Sequence, residues 1–223
     1  TGGGDHTTIQ AAIDAAVDGD EIQVRPGVYR GSGTEVIDLA GKRVRIRALH
    51  GSPFTFIDGE GVRRCVNATG GETNATSLEG FTITNGQGLW VDLDGDGTVG
   101  ELEEIGGGAI LVSSRPRFVD CVFRSNTADV GGAVHARQAP ATYLRCIFLE
   151  NVAIVGGAVS NSEESSATIT DCTFSYNVGP KSAAIDNRTG SDPMVTNCHF
   201  EGHFSISGSC ILNVGVSPVI TGC

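Results

Sequence analysis

From residue 118 onward, apolar side chains arrive in short alternating bursts and do not follow the 3.6-residue spacing of a helical repeat. Phe118, Cys121 and Phe123 form one burst, with Asp120 as a turn residue that resets the phase. Tyr143, Cys146 and Phe148 repeat it, then Ile169, Cys172 and Phe174, then Val195, Cys198 and Phe200. The cysteines set the period. Cys121, Cys146, Cys172, Cys198 and Cys223 lie 25, 26, 26 and 25 residues apart. Phe stands two places after each of the first four, and three places further on come Asn126, Asn151, Asn177 and His203. A small-residue block follows each: Gly131-Gly132-Ala133, Gly156-Gly157-Ala158, Ser182-Ala183-Ala184 and Gly208-Ser209-Cys210, with an earlier copy at Gly107-Gly108-Ala109.

A period near 25 residues is too short for a propeller blade. It holds about three short strands separated by tight turns. One such coil cannot bury its own apolar face, but stacked coils can, with strands pairing in parallel about 4.8 Å apart. The pattern therefore predicts an all-β fold, a right-handed parallel β-helix of about eight coils, with glycine at corners and at close backbone approaches. Near the N-terminus, Thr7 to Gln10 reads as a capping box with Thr7 at the N-cap. Ile9, Ala12, Ile13, Ala16 and Val17 then share a helical face, and Gly19 follows as C′. This short helix would cover the first coil. Strands are expected at Glu21–Val24, Val36–Leu39 and Val44–Ala48. The chain reads as a single domain over 1–223. It stops at Cys223 in mid-repeat without a polar cap, so truncation of a longer protein and end-to-end self-association through the bare coil are both expected.

Composition narrows the class. Of 223 residues, 32 are Gly, with only 18% charged and 6% aromatic, about twice the usual glycine content. Glycine without a triplet period, and only 7 prolines, exclude collagen. A hydrophobic content of 39% excludes a disordered chain. No apolar run is long enough for a membrane-spanning helix. A net charge of −11 argues against nucleic acid and anionic membrane surfaces as partners.

The alternation of C-x-F-x-x-N with G-G-A-[VI] resembles the polymorphic outer-membrane protein repeats of bacterial surface β-helices. Phe123–Asn126 with Gly131–Val134, and Phe148–Asn151 with Gly156–Val159, carry the resemblance; Phe174–Asn177 with Ser182–Ile185 and Phe200–His203 are weaker copies. It covers about residues 105–223, while the first hundred resemble the start of secreted β-helix proteins. It implies an extracellular or bacterial cell-surface location and an adhesive or passenger role, and brings no catalytic residues.

Residues 92–103 read DLDGDGTVGELE. Asp92, Asp94 and Asp96 occupy positions 1, 3 and 5 of a Ca²⁺ loop, Gly97 the sharp turn, Thr98 the backbone-carbonyl position and Glu103 the bidentate position 12. The alternative is an acidic solvated turn. The loop is an insertion of about 17 residues between Asn85 and Gly107, spanning about 88–105, with one helical turn expected at 100–104. A sensor needs a helix pair to open, so the expected role of Ca²⁺ is structural.

Asn126, Asn151 and Asn177 share a corner where stacked amides can bond from coil to coil; a sugar-binding amide row is the alternative. Asn85 is one residue out of phase. Asn161, Asn187 and Asn213 form a second column. Five cysteines read as a buried thiol column because stacked side chains point the same way, with Cys65 and Cys210 off it. Alternation after each G-G-A block predicts an outward strip of His135, Arg137, Ser160, Ser162, Asp186 and Arg188. This strip is a candidate polysaccharide-binding face, against a plain solvated one. His199 and His203 read as surface or corner residues. Two functions follow. One is a non-enzymatic surface protein with a structural or adhesive role, binding a polysaccharide or another surface protein and stabilised by one Ca²⁺. The alternative is a polysaccharide lyase or glycoside hydrolase of the pectate-lyase-like type. No paired-carboxylate motif stands on the strands, so the balance falls against an enzyme.

Overall fold

Each short apolar burst becomes a strand that cannot pair within its own coil, so its backbone bonds go to the coils before and after it. The computed structural model describes residues 6–90 and 104–223. It is a parallel β-solenoid of seven full coils and the first strand of an eighth, where the sequence suggests about eight. The first sheet has eight strands, from Glu21–Val24 to Val219–Thr221. The second has seven, from Gly27–Tyr29 to His199–Glu201, and the third seven, from Glu35–Asp38 to Ile211–Val214.

Equivalent residues stack in register. Phe118 lies opposite both Leu78 and Tyr143 in the first sheet. In the second, Phe123, Phe148, Phe174 and Phe200 stack with ring centroids 5.0, 4.6 and 4.8 Å apart and planes within 8° of parallel. Parallel rings this close are offset stacks set by the coil spacing. Cys121, Cys146, Cys172 and Cys198 form a buried column of free thiols beside them, whereas Cys223, two residues beyond the last strand, is exposed. Cys65 is also buried and Cys210 half-buried. Burial pushes the Cys65 and Cys121 thiols up to about 12, so they pack as small hydrophobes.

Glycine holds some corners, as at Gly80, Gly202 and Gly222, and shares them with other residues. Where a strand of the first sheet turns into the second, Asp120, Arg145, Asp171 and Asn197 hold left-handed φ of 51 to 54°. Ser125, Glu150 and Tyr176 do so after the second sheet, and Gln138, Glu163 and Thr189 after the third. Each such residue costs roughly 1–2 kcal/mol in isolation, offset here by the ladder on both sides. Glycine is required elsewhere. A Cβ on Gly132 would sit 2.3 Å from the Gly157 carbonyl oxygen, and one on Gly157 2.2 Å from that of Ala183. The small-residue block is thus one place where successive backbones approach closely.

The N-terminal helix, Ile9–Ala15, buries Ile9 and Ile13 against the first coil. Its N-cap is Thr8, one residue later than the capping-box reading; the Thr8 hydroxyl accepts from the Ala11 N–H at 3.1 Å. Gln10 is drawn away from the helix end. Its amide accepts from the Asp38 N–H at 2.6 Å and donates to the Asp38 carbonyl at 3.2 Å. It thereby takes the place of a neighbouring strand on the open edge of the third sheet. Gly19 lies beyond the helix and Val17 is exposed. The helix C-terminus is satisfied instead by Lys42 Nζ, which donates to the carbonyls of Ile13, Asp14 and Ala16 at 2.5 to 2.8 Å.

The asparagine corner is a continuous buried row. Asn126 Nδ2 and its backbone N–H both donate to Asn151 Oδ1, at 3.0 and 3.1 Å. Asn151 makes the same pair to Asn177 Oδ1, both at 3.0 Å. Each Nδ2 also donates to a carbonyl of an earlier coil: Ile83, Phe123 and Phe148. All three side chains are fully buried, which excludes the sugar-row alternative. The Asn177 N–H ends the row on His203 Nδ1 at 3.2 Å. Asn85 sits at the left-handed corner (φ 51°), one place before the row, with Gly86 at the asparagine position. Asn161, Asn187 and Asn213 are bonded coil to coil at 2.9 and 2.8 Å.

Asn151→Ala removes the middle link and strands several buried donors and acceptors. Its urea midpoint should fall by the equivalent of about 3 kcal/mol; an unchanged midpoint would mean the row is not a stabilising element.

Candidate functional site

The insertion leaves the solenoid through a short antiparallel ribbon, Leu89–Trp90 with Glu104–Ile105, in which Trp90 lies opposite Glu104. Residue 104 is therefore in a strand and not in the helical turn expected at 100–104. The residues expected to bind calcium, Asp92, Asp94, Asp96, Thr98 and Glu103, lie outside the described residues. The ribbon brings the two ends of the segment into register, as a loop held at its base requires.

The outward strip of the third sheet is mostly covered. His135, Ser160 and Asp186 are buried, and only Arg137, Ser162 and Arg188 reach solvent in part. The cause is the small-residue block before each strand. Gly131 packs on the backbone of Val134 and His135, and Gly156 against Ser160 Cβ. Alternation correctly places these side chains away from the core; the turn then folds back over them. Asp186, fully buried, is held by the Arg188 guanidinium and accepts from Ser182 Oγ at 3.2 Å. Arg137 pairs with Glu163 at 2.8 Å. The strip offers no open track for a polymer.

An open concave surface lies on the first sheet. There Arg45, Arg47 and Arg117 alternate with buried Ile46, Ala48 and Phe118, so the pleat turns every arginine outward. Arg145 joins them from its left-handed corner. The groove has a volume of about 790 Å³ and is lined by these four arginines, Glu79, Asp120 and the small polar group Asn74, Ala75, Ser77 and Gly80, among others. Both carboxylates are gripped by arginine forks. Arg45 Nη2 and Nε donate to Glu79 at 2.6 and 2.9 Å. Arg145 Nε and Nη2 donate to Asp120 at 2.7 and 2.9 Å. These bonds hold the Glu79 and Asp120 carboxyls below the ordinary carboxylate range. Arg47 and Arg117 are exposed and make no hydrogen bond among the described residues, while Arg47 lies opposite Glu79 and adds to the lowering of its carboxyl.

The sequence pattern alone does not find this groove. Arg45 and Arg117 share a column only because strands of the second, third and fourth coils align as Arg45–Ser77–Arg117. The early coils lack the 25-residue period that would reveal that register. A second hollow, on the second sheet, holds Asp58. Burial alone would raise its carboxyl, but bonds from Asn85, the Glu60 N–H and Arg30 outweigh that and lower it. Among the described residues no cluster of three His, Cys, Asp or Glu side chains could hold a metal ion. No described helix is long and apolar enough to cross a membrane.

Fold and surface together define a parallel β-helix with a cationic groove on one sheet. No protein-family model matches the chain, nor does any curated protein or solved structure.

His135 gives the third sheet a pH signature. Burial, reinforced by Arg137 and Arg64, lowers its imidazole to about 4, against 6.5 unfolded. The unfolded chain then binds a proton that the native chain refuses. Stability from this group is therefore full above pH 6.5 and is lost as pH falls toward 4. The full loss is roughly 3 kcal/mol. His135→Gln should flatten the urea midpoint across that window; an unchanged slope would assign the acid sensitivity elsewhere.

Proposed function

We propose that this chain is a binding, not a cleaving, β-helix of the extracellular or bacterial cell-surface kind, with a structural or adhesive role. The observation that carries this reading is the state of the groove carboxylates. A glycosidase needs one carboxyl kept protonated near neutral pH to act as general acid, and a second nearby as base or nucleophile. Glu79 and Asp120 are both locked by arginine and both shifted downward, the opposite of that requirement. The buried Asp186 is paired with the Arg188 guanidinium and lies away from any open surface. The resemblance of the C-x-F-x-x-N and G-G-A-[VI] copies to polymorphic outer-membrane protein repeats supports a surface location, and the open groove supports an adhesive use.

In this reading Asp92, Asp94, Asp96, Thr98 and Glu103 hold one Ca²⁺. Three carboxylates within five residues repel one another unless a hard cation lies among them. The ion's part is structural: it would pin the insertion at the end of its antiparallel stem.

Two measurements test the reading. Incubation with a panel of acidic and neutral polysaccharides should release no reducing ends and no unsaturated sugars; release of either would establish the lyase or hydrolase alternative. Separately, chelation should lower the melting temperature by several degrees, and Asp94→Asn/Asp96→Asn should abolish that difference. A melting temperature indifferent to chelator would remove calcium from the account.

A further inference from the structure

We propose that the groove on the first sheet binds an acidic polysaccharide, its oxyanions seated on Arg47 and Arg117; this deepens the binding role proposed above and rests on it. The argument begins with charge. The protein carries −11 overall, yet four arginines line this groove against two carboxylates. Arg45 and Arg145 are occupied by their own forks. Arg47 and Arg117 are exposed and their guanidinium donors are free of protein acceptors among the described residues, although Arg47 also faces Glu79 across the strands; a guanidinium fork is shaped for carboxylate or sulfate. They stand two coils apart in adjacent outward columns, about 9.6 Å along the axis and about 7 Å across it. That separation fits successive charged groups of one polymer better than a single small anion.

The rest of the lining selects a sugar over other polyanions. Ser77, Asn74 and the fixed oxygens of Glu79 and Asp120 are hydrogen-bonding partners for hydroxyls. Among the described residues no aromatic ring lines the groove, so they offer bases no aromatic stacking platform. Beyond the arginines the same face continues as hydroxyls. Thr142 follows Arg117 in its column and Thr168 follows Thr142, while Thr170 and Thr196 run alongside. A chain lying parallel to the solenoid axis meets charge at the N-terminal coils and hydroxyls further on.

The test uses one polymer backbone in three forms: carboxymethyl-dextran, dextran sulfate and neutral dextran, with duplex DNA as a fourth ligand. Titration calorimetry on the whole chain should show binding to at least one of the two acidic dextrans at least tenfold tighter than to dextran and to DNA, weakening as salt rises. The form that binds tighter assigns the natural oxyanion as carboxylate or sulfate. Arg47→Gln/Arg117→Gln should lose at least tenfold in affinity for that polymer. Arg124→Gln, an exposed arginine of the second sheet, should lose less than twofold. An unchanged melting temperature confirms that both variants are folded. Equal affinity for dextran, equal affinity for DNA, or a double variant that binds like the parent would each overturn the proposal. Assaying the same samples for reducing ends keeps the outcomes apart: cleavage with Arg47/Arg117-dependent binding would sink the non-enzymatic reading and leave the groove assignment standing.

Discussion

The solenoid depends on one constraint: the backbone hydrogen bonds of its stacked strands are made to other coils. The spacing of parallel strands, about 4.8 Å, is imposed on whatever side chains the sequence places at equivalent positions. That spacing brings the phenylalanine rings of the second sheet into parallel stacks. It also delivers an asparagine amide to hydrogen-bonding distance of the next. The left-handed corners follow from the same cause. An aspartate, arginine or glutamate in that conformation is unfavourable alone, and is held by strands paired on either side.

The repeat was legible because stacking makes the sequence repeat itself. Cysteine spacing, Phe123 and its successors, and the Asn126 row each mark one position in the coil, and each lies where the spacing puts it. What the sequence pattern does not carry is tertiary cover. Alternation puts His135 and Asp186 outward, and only the close approach of Gly131 and of the residues before Asp186 explains why they are buried. Those glycines are a visible signal, since a small-residue block at fixed distance before a strand marks backbone packed on backbone. The helix cap shows another limit. Gln10 satisfies the capping-box pattern locally, but the unpaired edge at Asp38 offers it two hydrogen bonds, and the edge wins.

The groove was hidden for a different reason. Its arginines come from coils of unequal length, so their alignment exists only in the folded register. Charge pairing across coils then sorts them. Two arginines grip carboxylates of neighbouring coils, and two remain open to solvent. The same pairing that stiffens the face also holds both carboxyls below the ordinary carboxylate range.

The asparagine row has a direction. In each link the amide nitrogen of the earlier coil points to the oxygen of the later one, so the side-chain amide dipoles lie head to tail along the solenoid axis. Aligned peptide dipoles sum in a helix, and hydrogen-bonded chains polarise one another in a low-dielectric interior; here side chains do in a β fold what the backbone does in an α-helix. The positive end of the row faces the C-terminal coils. It terminates on the lone pair of a half-buried imidazole, His203 Nδ1, whose burial disfavours the charged form. A neutral acceptor is thus the electrostatic match for that end, and a protonated one would meet the row positive end to positive charge.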